Sequence, residues 1–360
     1  MALYWVWGTG SWSDATNHWA TTSGGLPWAG NLPTATDDVF FDSASHTTSY
    51  TVTIDATTKL CRDITFAAPA SGNVTWAWSV AMTISGSITL YSGLIRTYTG
   101  TITMNSTSTE TITTAWVTLL SNFAFSGSWW SWELQDNVNN QTWNFNITNW
   151  TLTTNNNNVI IWSLVVSGTN TKELNLWSSM VSLTDASTAL YIVWATTNFT
   201  LNEGTSTIKF TNTSNSTCTF AWLWYTFNNV WFDRWASTGS ITISWSNTFN
   251  DFKDTGTAAH SLLLTTGTTQ NVTTFPVSGT AGNLITINST TTGTHALVKS
   301  WGGTISCDYL NIQHSVATPS DTWYAGTNST DNQSVATAGS GWTFTAPPSG
   351  NTWAWFFMCL

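Results

Sequence analysis

Residues 174–184 are L-N-L-W-S-S-M-V-S-L-T, and 27 residues later residues 201–211 are L-N-E-G-T-S-T-I-K-F-T. Each stretch is a short strand pattern, a turn and a second strand pattern, with Trp177 in the first where Gly204 stands in the second. A repeat of this length is typical of one supersecondary unit stacking on the next. The pair therefore predicts a repetitive body whose successive coils lie in register.

The same pattern of alternating apolar and Thr/Ser residues, followed by a Gly, Asn or Ser turn, recurs from about residue 50 to residue 310. Period-two alternation predicts strands, and no stretch shows helical periodicity. Only 7% of the residues are charged, and Thr, Ser and Asn take the outward positions, as expected where like residues stack along a sheet. We predict an all-β chain, a right-handed parallel β-helix (β-solenoid) with capped ends. A jelly-roll or tandem β-sandwich is the alternative.

The two ends differ from the middle in having denser aromatic and acidic residues, which predicts terminal caps over an open core. The predicted organisation is an N-terminal cap over 1–48, a solenoid body over 49–304, a C-terminal cap over 305–346 and an apolar tail over 347–360.

Charge and cysteine content exclude several classes of function. The net charge of -10 comes without any basic block, which argues against a nucleic-acid partner. The four cysteines are far apart and form no C-x-x-C pair, so we expect lone thiols. Neither a signal peptide nor an apolar run long enough to span a membrane is apparent.

Candidate chemistry is sparse. The densest acidic cluster, Asp37, Asp38 and Asp42, could begin a calcium site, although solvated charge on the cap is the simpler interpretation. A glycosidase needs two facing carboxylates, and Glu173 and Glu203 are 30 residues apart against a repeat of 27, so they should not align. We therefore predict a protein that is not an enzyme and needs no cofactor.

Several motifs carry a resemblance to a family. They are W-V-W-G-T-G-S-W-S-D-A-T-N-H-W-A-T-T-S-G-G-L-P (5–27), D-D-V-F-F-D (37–42), L-C-R-D-I-T-F (60–66), Y-L-N-I-Q (309–313) and T-W-Y-A-G (322–326). With them the chain resembles uncharacterised Gly/Thr-rich β-helical proteins of phage and metagenomic sequences, whose members look like tail-fibre, virion-surface or adhesin proteins. The resemblance covers nearly the whole chain and implies no catalytic residue.

The 26 tryptophans form two groups. The resemblance implies Trp at Trp5, Trp12, Trp19, Trp323 and Trp342, but Gly at Trp7 and Trp28. Two internal comparisons add Trp177 opposite Gly204 and Trp245 opposite Gly86, the second from I-T-I-S-W-S (241–246) against M-T-I-S-G-S (82–87). Gly and Trp do not normally exchange in a tight turn.

Three interpretations of the second group remain open. Trp177 and Trp245 could belong to an aromatic surface that binds sugar rings, or they could be glycine in the organism, since one base separates the glycine codon GGA from UGA. Some uncultured bacteria and their phages translate UGA as glycine. Ordinary packing is the third interpretation. If all the tryptophans are genuine, large exposed apolar patches predict poor solubility.

We therefore expect a structural and adhesive surface protein, a fibre or decoration of a phage virion. A bacterial cell-surface adhesin that binds carbohydrate is the alternative, and a polysaccharide depolymerase is a distant third. A homo-oligomer such as a trimer, or docking to the virion through the apolar tail, would cover that tail. A glycan receptor is the expected ligand, and the location would be the virion or another extracellular surface.

Overall fold

The computed structural model describes residues 1–55, 57–127, 131–186, 190–193, 198–333 and 340–348. Strands make up 43% of the chain and helices 2%, and parallel coils stack into a β-solenoid of about 13 turns. The all-β solenoid prediction is confirmed, which removes the jelly-roll and the tandem sandwich. The predicted apolar tail from residue 349 onward, including Cys359, lies outside the described residues.

The elements of the first coils are β1 (Ala2–Trp5), β2 (Gly10–Ser11), α1 (Ala15–His18), β3 (Trp19–Ala20), a 3-10 turn (Ala29–Asn31), β4 (Asp38–Phe41), β5 (Tyr50–Thr53), β6 (Lys59–Cys61), β7 (Ile64–Phe66), β8 (Val74–Ala77), β9 (Met82–Ile84), β10 (Ile88–Thr89), β11 (Ile95–Arg96), β12 (Ile102–Met104) and β13 (Glu110–Thr113). The central coils contain β14 (Phe123–Phe125), β15 (Ser131–Leu134), β16 (Val138–Asn140), β17 (Phe145–Ile147), β18 (Trp150–Thr153), β19 (Val159–Ile161), β20 (Leu164–Ser167), β21 (Lys172–Asn175), β22 (Met180–Leu183), β23 (Leu190–Val193), β24 (Phe199–Asn202), β25 (Thr207–Phe210) and β26 (Cys218–Ala221). The last coils contain β27 (Thr226–Phe232), β28 (Ile241–Ile243), β29 (Asn247–Asp254), β30 (His260–Leu264), β31 (Thr269–Thr274), β32 (Ile285–Ser289), β33 (His295–Lys299), β34 (Ile305–Ser306), β35 (Leu310–Ile312), β36 (Ser315–Thr318), β37 (Trp323–Tyr324), β38 (Thr330–Asp331) and β39 (Trp342–Thr343).

These strands form five sheets along the solenoid. Sheet A has the order β24-β21-β18-β15-β13-β10-β7-β4-β1-β3, sheet B has β11-β8-β5-β2, and sheet C runs from β38 to β6 through thirteen strands. Sheet D has the order β16-β19-β22-β25-β27-β29-β31-β33-β36, and sheet E has β34-β37-β39. Each central coil passes through sheets A, D and C in turn, while sheet A ends at β24.

The alternation seen in the sequence is the alternation of burial in the strands. Val39 and Phe41 of β4 point into the core, while Asp38 and Phe40, which alternate with them, are partly exposed. Because parallel strands are spaced about 4.8 Å apart, inward residues of successive coils stack: the Phe41 and Phe66 ring centroids are 4.2 Å apart and the planes differ by 7°. One core of buried apolar side chains extends from Leu3 to Trp342.

The N-terminal end of the stack is covered by a tryptophan cluster. Strand β1 pairs in parallel with β4 and antiparallel with β3, which brings Trp5 opposite Trp19. Trp5, Trp12 and Trp19 are fully buried, and their rings meet near edge-to-face, with Trp12 and Trp19 centroids 4.9 Å apart. The His18 ring stacks on Trp5 at 4.5 Å, so this end is closed by aromatic packing.

Candidate functional site

A groove of about 430 Å³ opens on sheet A where its last strands, β21 and β24, lie side by side. Its described lining residues are Glu173, Asn175, Trp177, Asn202 and Gly204. The register pairs Asn175 with Asn202 and Leu174 with Leu201. The repeat of 27 inferred from the sequence is therefore the register of these two coils, and it places Asn175 and Asn202 side by side.

The polar side chains of the groove are linked by hydrogen bonds. The Asn202 amide donates to Glu173 Oε1 at 2.7 Å and to Asn175 Oδ1 at 2.6 Å, and Asn175 donates to Thr153 Oγ1 at 3.1 Å. Thr151 donates to Glu173 Oε2 at 3.2 Å. The result is a preorganised row of amide and carboxylate groups open to solvent, beside an indole ring, and this combination suits a polyhydroxylated ligand.

Of the two glutamates that were expected not to align, only Glu173 is among the described residues that line the groove. Glu173 is opposite Thr200 in the next coil, so Glu203 is displaced from it, as the sequence indicated. Two facing carboxylates, the geometry that glycoside hydrolysis uses, are therefore not supplied by Glu173 and Glu203.

Trp177 occupies a turn between β21 and β22. Ser179 N donates to Leu176 O at 2.9 Å, and Trp177, the first central residue of this turn, has a φ of 51°. In the previous coil Asn155 has the same φ, and in the next coil Gly204 has a φ of 55°. The side chain of Trp177 is 55% exposed at the rim of the groove.

Trp245 belongs to a different part of the surface. Its ring lies 5.6 Å from that of Trp224 at an angle of 71°, between sheets C and D. Asn247 and Thr248 follow it and, with Trp224, line a second and shallower groove of about 210 Å³. The two tryptophans predicted as an aromatic ligand surface therefore line no groove in common.

The predicted equivalence of Trp245 with Gly86 is not matched by their backbones. Trp245 has a φ of 67°, while Gly86 is absent from the left-handed positions. Gly86 is needed for space, because a Cβ there would lie 2.0 Å from Asp63 Oδ1. Trp28, where the resemblance implies Gly, has an extended φ of -149°.

The three aspartates of the predicted calcium site have separate partners. Asp37 binds the N-terminal amine at 2.9 Å, Asp38 pairs with Arg62, and Asp42 accepts a hydrogen bond from Ala44 N at 2.9 Å. Burial alone would raise the pKa of Asp37, but hydrogen bonds from Thr34 and the N-terminus lower it. Across the described ranges no group of three or more His, Cys, Asp or Glu is placed to hold a metal ion.

The sequence did not single out two buried histidine clusters. His260 faces acceptors at both ring nitrogens, Asp254 Oδ2 at 2.8 Å and Ala258 O at 2.8 Å. Burial lowers the pKa of His260, but the hydrogen bond and charge of Asp254 outweigh it and leave the pKa raised. Both ring nitrogens therefore face acceptors that the two N–H groups of an imidazolium can satisfy.

His295 has the opposite chemistry. Its Nδ1 lies 2.8 Å from Ser289 Oγ, and its Nε2 meets no hydrogen-bonding atom among the residues described. Burial and, second, the neighbouring His314 lower the pKa of His295 to about 3. The ring is neutral in the folded chain at pH values where an unfolded chain would protonate it.

We expect His295 to make the protein acid-sensitive. Between its unfolded pKa of 6.5 and its folded pKa of about 3, only the unfolded chain binds the proton, so the free energy of unfolding from this group falls as pH falls. The slope is about 1.4 kcal/mol per pH unit. Urea midpoints of the wild type and His295→Gln, measured from pH 7 to pH 4.5, should differ by an amount that changes with pH in this sense.

The variant His46→Gln is the matched control, because His46 lies on a partly exposed turn and hydrogen-bonds only locally, to Thr48. It should keep the wild-type pH profile. Parallel profiles for wild type and His295→Gln would contradict the assignment.

The cysteines of the described chain are free and buried, as lone thiols should be. Burial raises the pKa of Cys218 and of Cys307 to about 12, so neither is poised as a nucleophile. None of the helices in the part of the chain that the structure describes is long and apolar enough to cross a membrane.

The groove residues Asn175 and Asn202 were missed, although the sequence held a signal for them. Both follow leucine at the same place in the repeated stretches L-N-L and L-N-E. Asparagines at the same position of successive coils can form a ladder of hydrogen-bonded amides. The repeated Asn could therefore have predicted this row.

Comparisons with known proteins identified no relative of this chain. No protein-family model, no curated protein and no solved structure matches this chain. The resemblance to phage and metagenomic β-helical proteins therefore stays a prediction, carried by the quoted motifs alone.

Proposed function

We propose that the protein is a non-enzymatic structural and adhesive surface component, a fibre or decoration protein of a phage virion. The observation that carries the proposal is the long stack of coils, in a chain of which only 7% of the residues are charged. About 13 turns at about 4.8 Å each give a rod roughly 60 Å long. Its outward faces are ladders of Thr, Ser and Asn, such as Asn311 accepting from Asn332 at 2.6 Å.

A rod with these faces suits an extracellular or virion location, because its stability depends on packed ladders rather than on charges that salt would screen. We propose that the apolar tail, residues 347–360, docks to the particle or to further copies of the chain. Light scattering of the full chain should give a trimer, and a monomer would contradict this part of the proposal.

A glycan receptor fits the groove next to Glu173. Its amide and carboxylate groups can accept and donate hydrogen bonds to sugar hydroxyls, and its row geometry follows an extended chain. The same groove favours the second candidate, a bacterial cell-surface adhesin that binds carbohydrate. Trp177 belongs to this site only if the natural protein has tryptophan there, so the test below avoids it.

We expect Asn202→Ala to weaken binding to the cognate polysaccharide roughly five- to tenfold, because one or two hydrogen bonds are lost. An array of surface polysaccharides from candidate host cells, followed by titration of any ligand found, measures this.

Asn311→Ala is the control, since Asn311 is an outward asparagine in a comparable ladder on sheet C. Equal loss in both variants, or binding that neither affects, would contradict the groove as the site. Release of reducing ends from the bound polysaccharide would contradict the non-enzymatic assignment.

A further inference from the structure

In the part of the chain that the structure describes, left-handed backbone is occupied by tryptophan more than by any other residue except glycine. Of the fourteen described non-glycine residues with positive φ, eight are Trp: Trp7, Trp78, Trp116, Trp150, Trp177, Trp224, Trp235 and Trp245. An L-residue in this region is sterically strained, and a bulky one is an outlier. Glycine and, less well, asparagine are the residues that such positions select.

One column of the solenoid shows the substitution directly. Strand pairing on both sides of the corner has the same offset, 22 residues before Trp177 and 27 after it, so Asn155, Trp177 and Gly204 are equivalent. Their φ values are 51°, 51° and 55°. Thr205 N donates to Trp177 O at 2.6 Å, so the two later turns are in direct contact. The column is a sequence of Asn, Trp and Gly in a position that favours only the first and last.

At two separate corners, the type of turn also favours glycine. Trp177 and Trp235 are each the first central residue of a hydrogen-bonded turn, closed by Ser179 N to Leu176 O and by Ser237 N to Arg234 O. Each has positive φ while the residue after it does not. This is the pattern of a type II′ turn, whose first central residue is normally glycine.

Exposure separates the left-handed tryptophans from those of the core. The left-handed tryptophans other than the half-buried Trp150 are between 46% and 70% exposed, although Trp28, Trp162 and Trp301 are exposed without a positive φ. Seven others are fully buried: Trp5, Trp12, Trp19, Trp76, Trp132, Trp222 and Trp323. The two kinds stand two residues apart at Trp76 and Trp78, which are 0% and 58% exposed. Buried tryptophans fill the core, while the seven exposed left-handed ones lie outside it.

An aromatic binding ladder would place rings in register on successive coils. The coils on either side of Trp177 carry Asn155 and Gly204 in its place, so its column holds a single ring. Trp224 and Trp245 are neighbours, but their rings meet edge-on at 71° rather than forming a flat platform.

We propose that the eight left-handed tryptophans are glycine in the natural protein. Their codon would be UGA, which differs from the glycine codon GGA by one base and which certain bacterial lineages translate as glycine. The corners are then ordinary glycine turns, and the exposed aromatic surface disappears. Glycine at position 177 removes the indole from the rim of the groove but leaves the hydrogen-bonded Glu173–Asn202 row, and the proposed function is tested on that row alone.

The gene itself provides the first test. We expect UGA at all eight left-handed positions and UGG at the seven fully buried ones, because only the former suit glycine. UGG at the left-handed positions, or UGA spread over both sets, overturns the proposal. Peptide mass spectrometry of the protein from its natural source should likewise find glycine at position 177, and tryptophan there would overturn it.

Expression of the chain provides a physical test. The printed sequence and a version carrying glycine at all eight positions should both fold, with the glycine version more soluble and its thermal midpoint higher by roughly 5 °C or more. In the matched control, glycine replaces three buried tryptophans, Trp5, Trp76 and Trp132, and this variant should fail to fold. A lower midpoint for the eight-glycine version than for the printed sequence overturns the proposal.

Discussion

Trp76→Ala is expected to lower the free energy of unfolding by about 3–5 kcal/mol, whereas Trp78→Gly, two residues along, is expected to leave it unchanged or raise it by up to about 1 kcal/mol. The two residues flank the end of strand β8. Trp76 is fully buried, while Trp78 is 58% exposed with a φ of 93°. The same side chain therefore has opposite effects at the two positions.

The cost at Trp76 comes from its neighbours. Its ring stacks on Tyr98 at 4.9 Å and 7°, contacts Phe66 at 5.1 Å and carries the Arg96 guanidinium at 4.6 Å from its centroid. Burial lowers the pKa of Arg96 to about 10, which shows how far this cation is removed from water. Deleting the indole opens a cavity and also takes away the π face that the cation rests on, so we expect the upper part of the range.

Urea unfolding followed by circular dichroism measures both variants on a common scale. A third variant, Trp76→Phe, keeps most of the stack and should recover more than half of the loss. Equal destabilisation by Trp76→Ala and Trp78→Gly would contradict the division of the tryptophans into core and corner residues.

The coil register is the part of the fold that the sequence predicted best. L-N-L-W-S-S and L-N-E-G-T-S share their leucine and asparagine, and the structure pairs Leu174 with Leu201 and Asn175 with Asn202. Local alternation is enough for this, because each strand bonds to its counterpart one coil later. Once one inward residue and one outward residue of a strand are aligned with those of the next coil, the pairing of every other residue in that strand is fixed.

Corner conformation was harder to predict. Trp177 could be compared with Gly204 because identical letters flank them, but Trp78, Trp116 and Trp235 stand in stretches that no other coil repeats. Where only a few letters matched, the comparison failed: Gly86 is a glycine for lack of space and Trp245 stands at a left-handed corner. A glycine in a sequence does not say which of these two needs it meets.

The buried cations were also outside the reach of sequence patterns. With few charged residues in the chain, Arg96 and Arg234 look like isolated surface charges in the sequence, yet their exposures are 8% and 3%. What holds them is a set of backbone carbonyls and ring faces from other coils. Such partners depend on the three-dimensional path of the turns, so the pattern of side chains in the sequence does not predict them.

Arg234→Met is expected to lower the free energy of unfolding by about 3–5 kcal/mol, because the carbonyls of two turns lose the side-chain donor that links them. Arg234 fastens together turns of two adjacent coils, after β25 and after β27. Its Nη2 donates to Ser214 O at 2.9 Å and to Ser216 O at 2.7 Å, and its Nη1 donates to Gly239 O at 2.8 Å. Methionine can fill the space of the side-chain stem but donates to none of these oxygens.

Arg62→Met provides the matched comparison for Arg234→Met. Arg62 pairs with Asp38 on the outer face of sheet A, with 52% of its side chain exposed, and its loss should cost less than about 1 kcal/mol. Raising the salt concentration should shrink the effect of Arg62→Met and leave that of Arg234→Met unchanged, because buried hydrogen bonds are screened far less than a surface ion pair. Arg234→Lys should fall between wild type and Arg234→Met, since a single ammonium cannot reach carbonyls of both turns as the planar guanidinium does. Equal and salt-dependent losses for the two methionine variants would show that Arg234 acts as an ordinary surface charge rather than as the link between coils.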